Sequence, residues 1–493
     1  MCGIAVITGR ADEQMLRHMM ESMRHRGPDD SGTFLGDEVS LGHVRLSIID
    51  VQSGRQPIQS LCGNRCIVYN GEVYNFQELR QNLEGKYRFS SNTDTEVILH
   101  LYEELGREFI HHLDGMFAFA IYDAGELLLA RDRLGIKPLY YGKLDQGELA
   151  FASEVKALKD CRDVREFPPG HFYTAADGFV PYYHLPRRNP LDRPVDEILR
   201  LLRENLTEAV RKRLVADVPV GVFLSGGLDS SIIAAVMKSH IPDLHSFSVG
   251  VQDSPDILAS REVAAYLGTR HHEYIYEEEE MKEILPRVIY YLESFDMPLV
   301  RSAIPGYFVS RLARGFVKVI LTGEGSDELF SGYHHLKKFD DPEELSRELY
   351  EITSRLHNTN LQRTDRMSMA HGIEARVPFL DAAFIDLVST LPVDRIRAED
   401  GQMEKWILRK AFESYLPEQI VWRRKQKFSE GAGSVDFLAA VADAQIADEE
   451  LTAANAAAPV PLRSKEELIY YRVYADHFGE PSTADLVGRT LRY

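Results

Sequence analysis

The second residue of the chain is a cysteine followed by glycine. Removal of Met1 would leave Cys2 with a thiol and a free α-amine on one residue, and that amine can act as base for its own thiol. With an unperturbed pKa of about 8, a useful fraction of such an amine is neutral at physiological pH. A small residue at position 2 by chance is the alternative. Four polar clusters shift the balance: 24–29 (RHRGPD), 43–50 (HVRLSIID), 69–75 (YNGEVYN) and 92–96 (NTDTE). Arg45 can hold an α-carboxylate through a bidentate pair, and Asp94 and Glu72 can hold an α-ammonium. The Asn70 amide and the Gly71 N–H can stabilise the oxyanion formed when a thiolate attacks a carboxamide. Asn-Gly is also a hairpin signal, and a turn with a free N–H would serve equally well as the donor.

A second group of residues has different chemistry. In 224–231 (LSGGLDSS), an apolar β-branched run at 218–223 stops at Ser225-Gly226-Gly227 and passes into a helix-like run at 232–237. A strand that turns at once into a helix aims free N–H groups at one spot. Two glycines admit a ligand close to the main chain, and the helix start favours an anion. Ser225, Ser230 and Ser231 add hydroxyls. The stretch lacks the Walker lysine and the dinucleotide spacing, and its plain alternative is a glycine-rich turn with an Asp-Ser helix cap.

Further on, 322–328 (TGEGSDE) carries Glu324 and Asp327 three residues apart. One carboxylate could move a proton from an attacking amine and the other bind Mg²⁺; capping of a short helix over 326–330 is the competing role for Asp327. The run 422–431 (WRRKQKFSEG) is a compact cationic loop in an acidic chain, either a counterion for a leaving pyrophosphate or a solvated basic turn.

Several elements must position these groups. Residues 115–123 and 129–140 read as strands around a tight turn. Residues 185–194 (LPRRNPLDRP) have three prolines and no periodicity, which marks a joint. Residues 196–214 show apolar positions at helical spacing. Strands at 245–251, 271–276 and 317–321 alternate with a helix at 256–267, which predicts a mostly parallel sheet with helices on both faces. In such a sheet ligands sit beyond the carboxyl ends of the strands, where Ser225, Val249 and Thr322–Glu324 all fall. Residues 277–280 (EEEE) read as a solvated helix start, and 363–381 as a mostly helical run bearing polar groups.

At 493 residues the chain should hold two or three domains. A net charge of −19 argues against a polyanionic partner such as nucleic acid. No apolar run approaches the roughly 18–20 residues that span a bilayer, and the start has no signal-peptide pattern. Four cysteines (Cys2, Cys62, Cys66, Cys161) make no disulfide framework, and Cys62 and Cys66 lack a second ligand pair for a metal. A reducing cytoplasm is the expected location.

In this order, Cys2, RHRGPD, HxRLSIID, NGEVYN and TDTEV resemble the class II glutamine amidotransferase domain over residues 2 to 185. That resemblance implies an N-terminal-nucleophile αββα sandwich that hydrolyses glutamine to glutamate and ammonia. Cys2, Asn70 and Gly71 would be catalytic, and Arg45, Leu46, Ser47, Ile48, Ile49, Asn70, Gly71, Glu72 and Asp94 would bind glutamine.

The SGGLDSS stretch is similar to the pyrophosphate loop of ATP pyrophosphatases. Together with SFSVGV…SPD, GEGSDE, RxDRMSMAHGIEARVPFLD and WRRKQKFSEG it resembles the glutamine-dependent asparagine synthetase family. The implied second domain, 195–493, is a parallel-sheet α/β pyrophosphatase-like unit with a helical C-terminal part. Phe223, Ser225, Gly226, Gly227, Asp229, Ser230, Val249, Thr322, Gly323 and Lys425 would bind ATP. Asp229 and Asp327 would lie at Mg²⁺, and Glu324 would serve the acyl-adenylate chemistry.

The implied reaction converts aspartate, glutamine and ATP to asparagine, glutamate, AMP and pyrophosphate. The alternative is a related amidotransferase acting on another carboxylate, a sugar acid or peptide. It is kept open because Pro298-Leu299 stand where the family has hydroxyl residues. The partners implied are these small molecules, with neither nucleic acid nor membrane, and a homodimer is compatible.

Overall fold

The computed structural model describes residues 2–9, 13–61, 63–397, 403–426, 428–433, 435–479 and 483–490. Met1, Cys62 and Lys427 lie outside the described residues.

The first part of the chain alternates apolar residues with period two, and each face of each strand is buried against something different. The strand Cys2–Thr8 sends Ile4 and Val6 inward to meet Val68, Ala118, Ala120 and Leu129 of a second sheet. Its other face, Ala5 and Ile7, meets Leu16, Met19 and Met20 of the helix Glu13–Ser22. The second sheet is covered in turn by Phe76, Leu79, Leu83, Val97, Ile98 and Leu101 of the helices Phe76–Leu83 and Asp94–Leu105. Both sheets have six strands and every pair within them is antiparallel. Two facing sheets with helices outside each form the four-layer αββα arrangement that the family resemblance implies.

The stretch 185–194 is irregular, as its prolines require, but it is pinned. Asn189 and Leu191 donate N–H bonds of 2.9 and 2.8 Å to the carbonyls of Ser389 and Thr390, and Arg188 donates to those of Val388 and Leu329. The helix Val195–Lys212 follows, burying Ile198, Leu202, Leu206 and Val210.

The third sheet is wholly parallel, in the order Arg270–Ile275, His245–Gly250, Val220–Phe223, Val319–Leu321, Glu374–Arg376. One large apolar cluster packs the helices Val195–Lys212 and Leu228–Lys238 on one side. Another packs Glu278–Leu292, Met297–Ala313 and the C-terminal helix Lys465–Phe478 on the other. The 277–280 run starts a helix as read, with Glu277 and Glu280 forming a reciprocal capping box.

Two expectations fail. Asn70 and Gly71 occupy no hairpin turn: they lie in mid-strand (Arg65–Val73), paired with Ala118 and Phe117. Glycine is required there because a Cβ would come within 2.2 Å of the Met116 carbonyl oxygen, so close approach rather than turn geometry selects it. The 363–381 stretch is α-helical only to Met369, with a single further 3₁₀ turn at Pro378–Leu380. Gly372, at φ +64°, ends that run, and Glu374–Arg376 becomes the fifth parallel strand. The period-two alternation Ile373, Ala375 against Glu374, Arg376 was present, but buried charges at Glu374 and Arg376 disguised it.

No helix among the described residues is long and apolar enough to cross a membrane.

Candidate active site

Cys2 is buried at the start of an inner strand, directly opposite Arg45 in the neighbouring strand. Its main-chain N donates to Asn70 Oδ1 at 3.0 Å, and its carbonyl accepts from Arg26 Nε at 3.0 Å. Among the described residues the buried Asn70 amide nitrogen has no hydrogen-bond partner, which leaves a donor available on the side chain that holds the Cys2 main chain. Burial pushes the thiol pKa up, and the Leu46 N–H and the charge of Arg45 work against that rise. Gly27 lets this corner close, since a Cβ would lie 2.2 Å from the Val44 carbonyl carbon.

The other residues singled out for glutamine are not all turned to one point. Arg45 donates to the carbonyls of Ile49, Asp50 and Val51, which shapes the loop around it. Ser47 N–H donates to Asp29 at 2.8 Å. Asp94 accepts from the Tyr69 hydroxyl (2.8 Å) and the Val73 N–H (3.0 Å), and burial raises its pKa. Glu72 lies 3.4 Å from Arg376 in the second part of the chain; burial and the nearby Glu374 charge hold its carboxyl well above the usual range. Leu46 and Ile48 join the apolar cluster shared with Leu224, Val377 and Leu380. Sequence reasoning missed Glu374 and Arg376 as neighbours of this site.

The second site is a cavity of about 330 Å³ at the carboxyl ends of the parallel strands. The order of the sheet reverses between Val220–Phe223 and Val319–Leu321, the position where such sheets open a crevice. Of the residues assigned to nucleotide, metal and acyl chemistry, all but Gly226 line it. Gly226 acts behind the wall: its φ is +68° and a Cβ would lie 2.5 Å from the Ala259 backbone. Ser225 and Ser230 hydroxyls lie 3.1 Å apart, and Ser225 Oγ accepts from the Gly227 N–H. Gly226→Ala should therefore destabilise the fold by about 1–3 kcal/mol, read as a lowered melting temperature, and should cut pyrophosphate release. An unchanged melting temperature would show that the loop yields more easily than this.

Lys405 was not anticipated. Nearly fully buried, it donates to Asp229 Oδ2 at 2.7 Å and to Ser326 Oγ at 3.1 Å, and it sits 2.5 Å from Asp327 Oδ1. Lys425 reaches the other Asp327 oxygen at 2.5 Å. Burial would raise Asp327, but the two ammonium groups hold its carboxyl well below the usual range. Gly332 makes room for this group, since a Cβ would strike Asp327 Oδ1 at 2.1 Å. Lys405 adopts a left-handed conformation (φ +59°) at the start of the helix Trp406–Ala411, which no local sequence signal announces.

Arg363, from the helix Asn360–Met369, is paired with Glu324. Arg423 pairs with Asp256 at 3.0 Å, so the cationic loop is tied to acids lining the cavity rather than solvated.

Asp229 and Asp327 flank one cation already, and their oxygens are the hard donors that Mg²⁺ prefers. No group of three His, Cys, Asp or Glu side chains close enough to hold a metal occurs among the described residues. A carboxylate pair completed by nucleotide phosphates fits how Mg²⁺ is usually bound.

Glu328 accepts from Tyr333 Oη and Asn360 Nδ2, and burial together with the Asp327 charge lifts its carboxyl to about 7. A folded-state pKa above the unfolded value means stability is full at low pH and is lost as pH rises through about 7. Glu328→Gln should then gain about 2–3 kcal/mol relative to the parent at pH 8 but not at pH 4, measured by urea midpoints. Equal differences at both pH values would rule this out.

A cysteine at position 2 on a four-layer sandwich, joined in one chain to a glycine-rich loop at the crevice of a parallel sheet, is the arrangement of a glutamine amidotransferase fused to an ATP-dependent synthetase. Residues 1–169 match the glutamine amidotransferase domain family, and residues 201–341 and 337–485 match the asparagine synthase family. The chain is 41% identical over 489 residues to Escherichia coli (strain K12) asparagine synthetase B [glutamine-hydrolyzing], covering 94% of this chain and 88% of that protein. It is 39% identical over 514 residues to Arabidopsis thaliana asparagine synthetase [glutamine-hydrolyzing] 2, covering 98% and 88%. The probable asparagine synthetase of Dictyostelium discoideum is 38% identical over 515 residues, covering 96% and 92%. The chain belongs to the glutamine-hydrolysing asparagine synthetase family.

Proposed function

We infer that the chain makes asparagine from aspartate, glutamine and ATP, with residues 2–185 hydrolysing glutamine and residues 195–493 forming the amide. The observation that carries this reading is that both half-reactions have their groups in one chain, packed through a shared apolar core. After loss of Met1, the Cys2 amine takes the thiol proton and the thiolate attacks the glutamine carboxamide. The ammonium group returns the proton as the C–N bond breaks and ammonia leaves, and water then hydrolyses the glutamyl thioester to glutamate. The Asn70 amide nitrogen, without another partner, donates to the oxyanion. In this reading Arg45 is the group that would meet the substrate carboxylate, and Asp94 and Glu72 are the acids that would meet its ammonium.

In the second site the Ser225–Ser230 loop binds the phosphates of ATP beside Asp229, with Phe223, Val249 and Gly323 against the nucleoside. Asp229 and Asp327 would hold Mg²⁺, which supplies charge neutralisation for the pyrophosphate. Lys405 and Lys425 bring fixed positive charge to the same place. The β-carboxylate of aspartate attacks the α-phosphorus, giving aspartyl-adenylate and pyrophosphate, and ammonia then displaces AMP. Glu324, next to Arg363, is placed to take the proton that the attacking ammonia loses.

Ammonia released at Cys2 has to cross the interface. Leu46, Ile48, Met116, Ile136 and Val377 make that boundary apolar, which a neutral molecule crosses at far lower cost than ammonium. Mass spectrometry of products made from ATP, glutamine and a mixture of carboxylic acids tests the reading. Asparagine as the amide formed supports it; amidation of a different acid in preference to aspartate overturns it.

A further inference from the structure

The Cys2 main chain is held at both ends, and one of the two holds depends on the other half of the molecule. Asn70 fixes its nitrogen and Arg26 fixes its carbonyl. Arg26 is wholly inaccessible to solvent, so the direction of its Nε–H is set by what its two other nitrogens bind. A guanidinium is planar, and anchoring both terminal nitrogens fixes that plane. Asp365 does this. Its Oδ2 accepts from Nη1 at 2.8 Å and its Oδ1 from Nη2 at 3.2 Å.

Glu154 also takes Nη1, at 2.8 Å, but it is shared with His25, Lys156 and Arg366. Among the described residues Asp365 also forms an ion pair with Lys137, at 3.4 Å. It stands on the helix Asn360–Met369, two residues from Arg363, which pairs with Glu324 in the nucleotide cavity. The neighbouring Arg366 also reaches across to the Ser153 carbonyl, while pairing with Glu293 in its own half. The placement of Asp365 is therefore set by packing in the second part of the chain.

We propose that Asp365 is a positioning residue for glutamine hydrolysis, acting through Arg26 on the main chain of Cys2, so that the hydrolytic site is incomplete without the synthetase half. This rests on the reading of Cys2 as the nucleophile. Arg45 and Asp94, which face substrate in that reading, do not touch Asp365, so its loss should disturb the alignment of Cys2 rather than glutamine binding.

The test uses the full chain carrying Asp365→Asn, with glutamate formation measured over a range of glutamine and with pyrophosphate release measured on ammonia and aspartate. Glutamate formation should lose roughly ten- to a hundredfold in kcat, with KM for glutamine and the ammonia-supported rate each within about twofold. Asp365→Glu, which keeps the charge, should recover part of the loss. Lys137→Met, which removes the other cation on Asp365 and leaves the fork to Arg26, should keep kcat. If Asp365→Asn does not fold, Arg26→Lys makes the same test, because it keeps a charge opposite Asp365 and loses the Nε bond to Cys2.

An unchanged kcat overturns the proposal. So does a parallel fall in the ammonia-supported rate, or a loss from Lys137→Met as large as that from Asp365→Asn. A Cys2→Ala chain that still forms glutamate would instead defeat the underlying reading, which separates the two failures.

Discussion

Cys2→Ala should reduce glutamate formation by at least about a thousandfold, while asparagine formation on ammonia stays within about twofold of the parent. The residue is small, and the thiol points into a site whose other groups survive the change: Asn70 still binds the main-chain nitrogen and Arg26 the carbonyl. Only the atom that attacks is lost. The nucleotide cavity is built from the other sheet and contains no group from the strand Cys2–Thr8, so ATP cleavage should proceed once ammonia is supplied. Glutamate release and pyrophosphate release, followed in the same preparation, check both halves. If the two activities fell together, the halves would depend on each other more deeply than through a transferred ammonia molecule.

Lys405→Met should have the opposite signature. Pyrophosphate release should fall by about a hundred- to a thousandfold, on glutamine and on ammonia alike, while glutamate formation without ATP survives. The ammonium lies between Asp229 and Asp327, and its removal leaves two partly buried carboxylates that have lost a shared cation, with Lys425 still paired to Asp327. That arrangement repels the phosphates the cradle is meant to hold. Because breaking a buried charged set is itself costly, by roughly 3–5 kcal/mol, the same variant should melt earlier and recover partly at high Mg²⁺, which can replace the missing charge. A variant that keeps full pyrophosphate release would remove Lys405 from the phosphate site. Lys405→Arg should be a poor substitute, since a planar fork cannot meet three oxygens that surround a point.

The groups proposed to do chemistry were picked out before any fold was known, because they occur in short runs where residue type and backbone behaviour agree. Gly226 needs a left-handed conformation and contact with Ala259, and the adjacent strand and helix patterns place it at their junction. The αββα layers follow from strands whose alternate residues serve two different cores. Asn70-Gly71 shows where local reasoning misleads. The dipeptide is a good turn former, yet a neighbouring strand 40-odd residues later captures it into a ladder, and glycine is kept for the sake of the Met116 carbonyl. Glu374 and Arg376 misled differently: their charges suggest solvent, but inside the sheet they pair with each other, and Arg376 also meets Glu72 from the first part of the chain.

By itself, then, the sequence marked Cys2 as the candidate nucleophile, 225–231 as a candidate phosphate loop, 322–328 as an acid-bearing strand end and the second part of the chain as a parallel sheet. All of these are set by contacts within about a dozen residues, where propensity and spacing suffice. Only the tertiary structure decided which charges meet. Lys405 lies between Asp229 and Asp327, Arg363 against Glu324, Arg376 beside Glu72, and Asp365 behind Arg26. Those pairs join residues up to 339 positions apart. Their partners are chosen by burial, because a charge removed from water must find its opposite wherever the packed chain happens to place one.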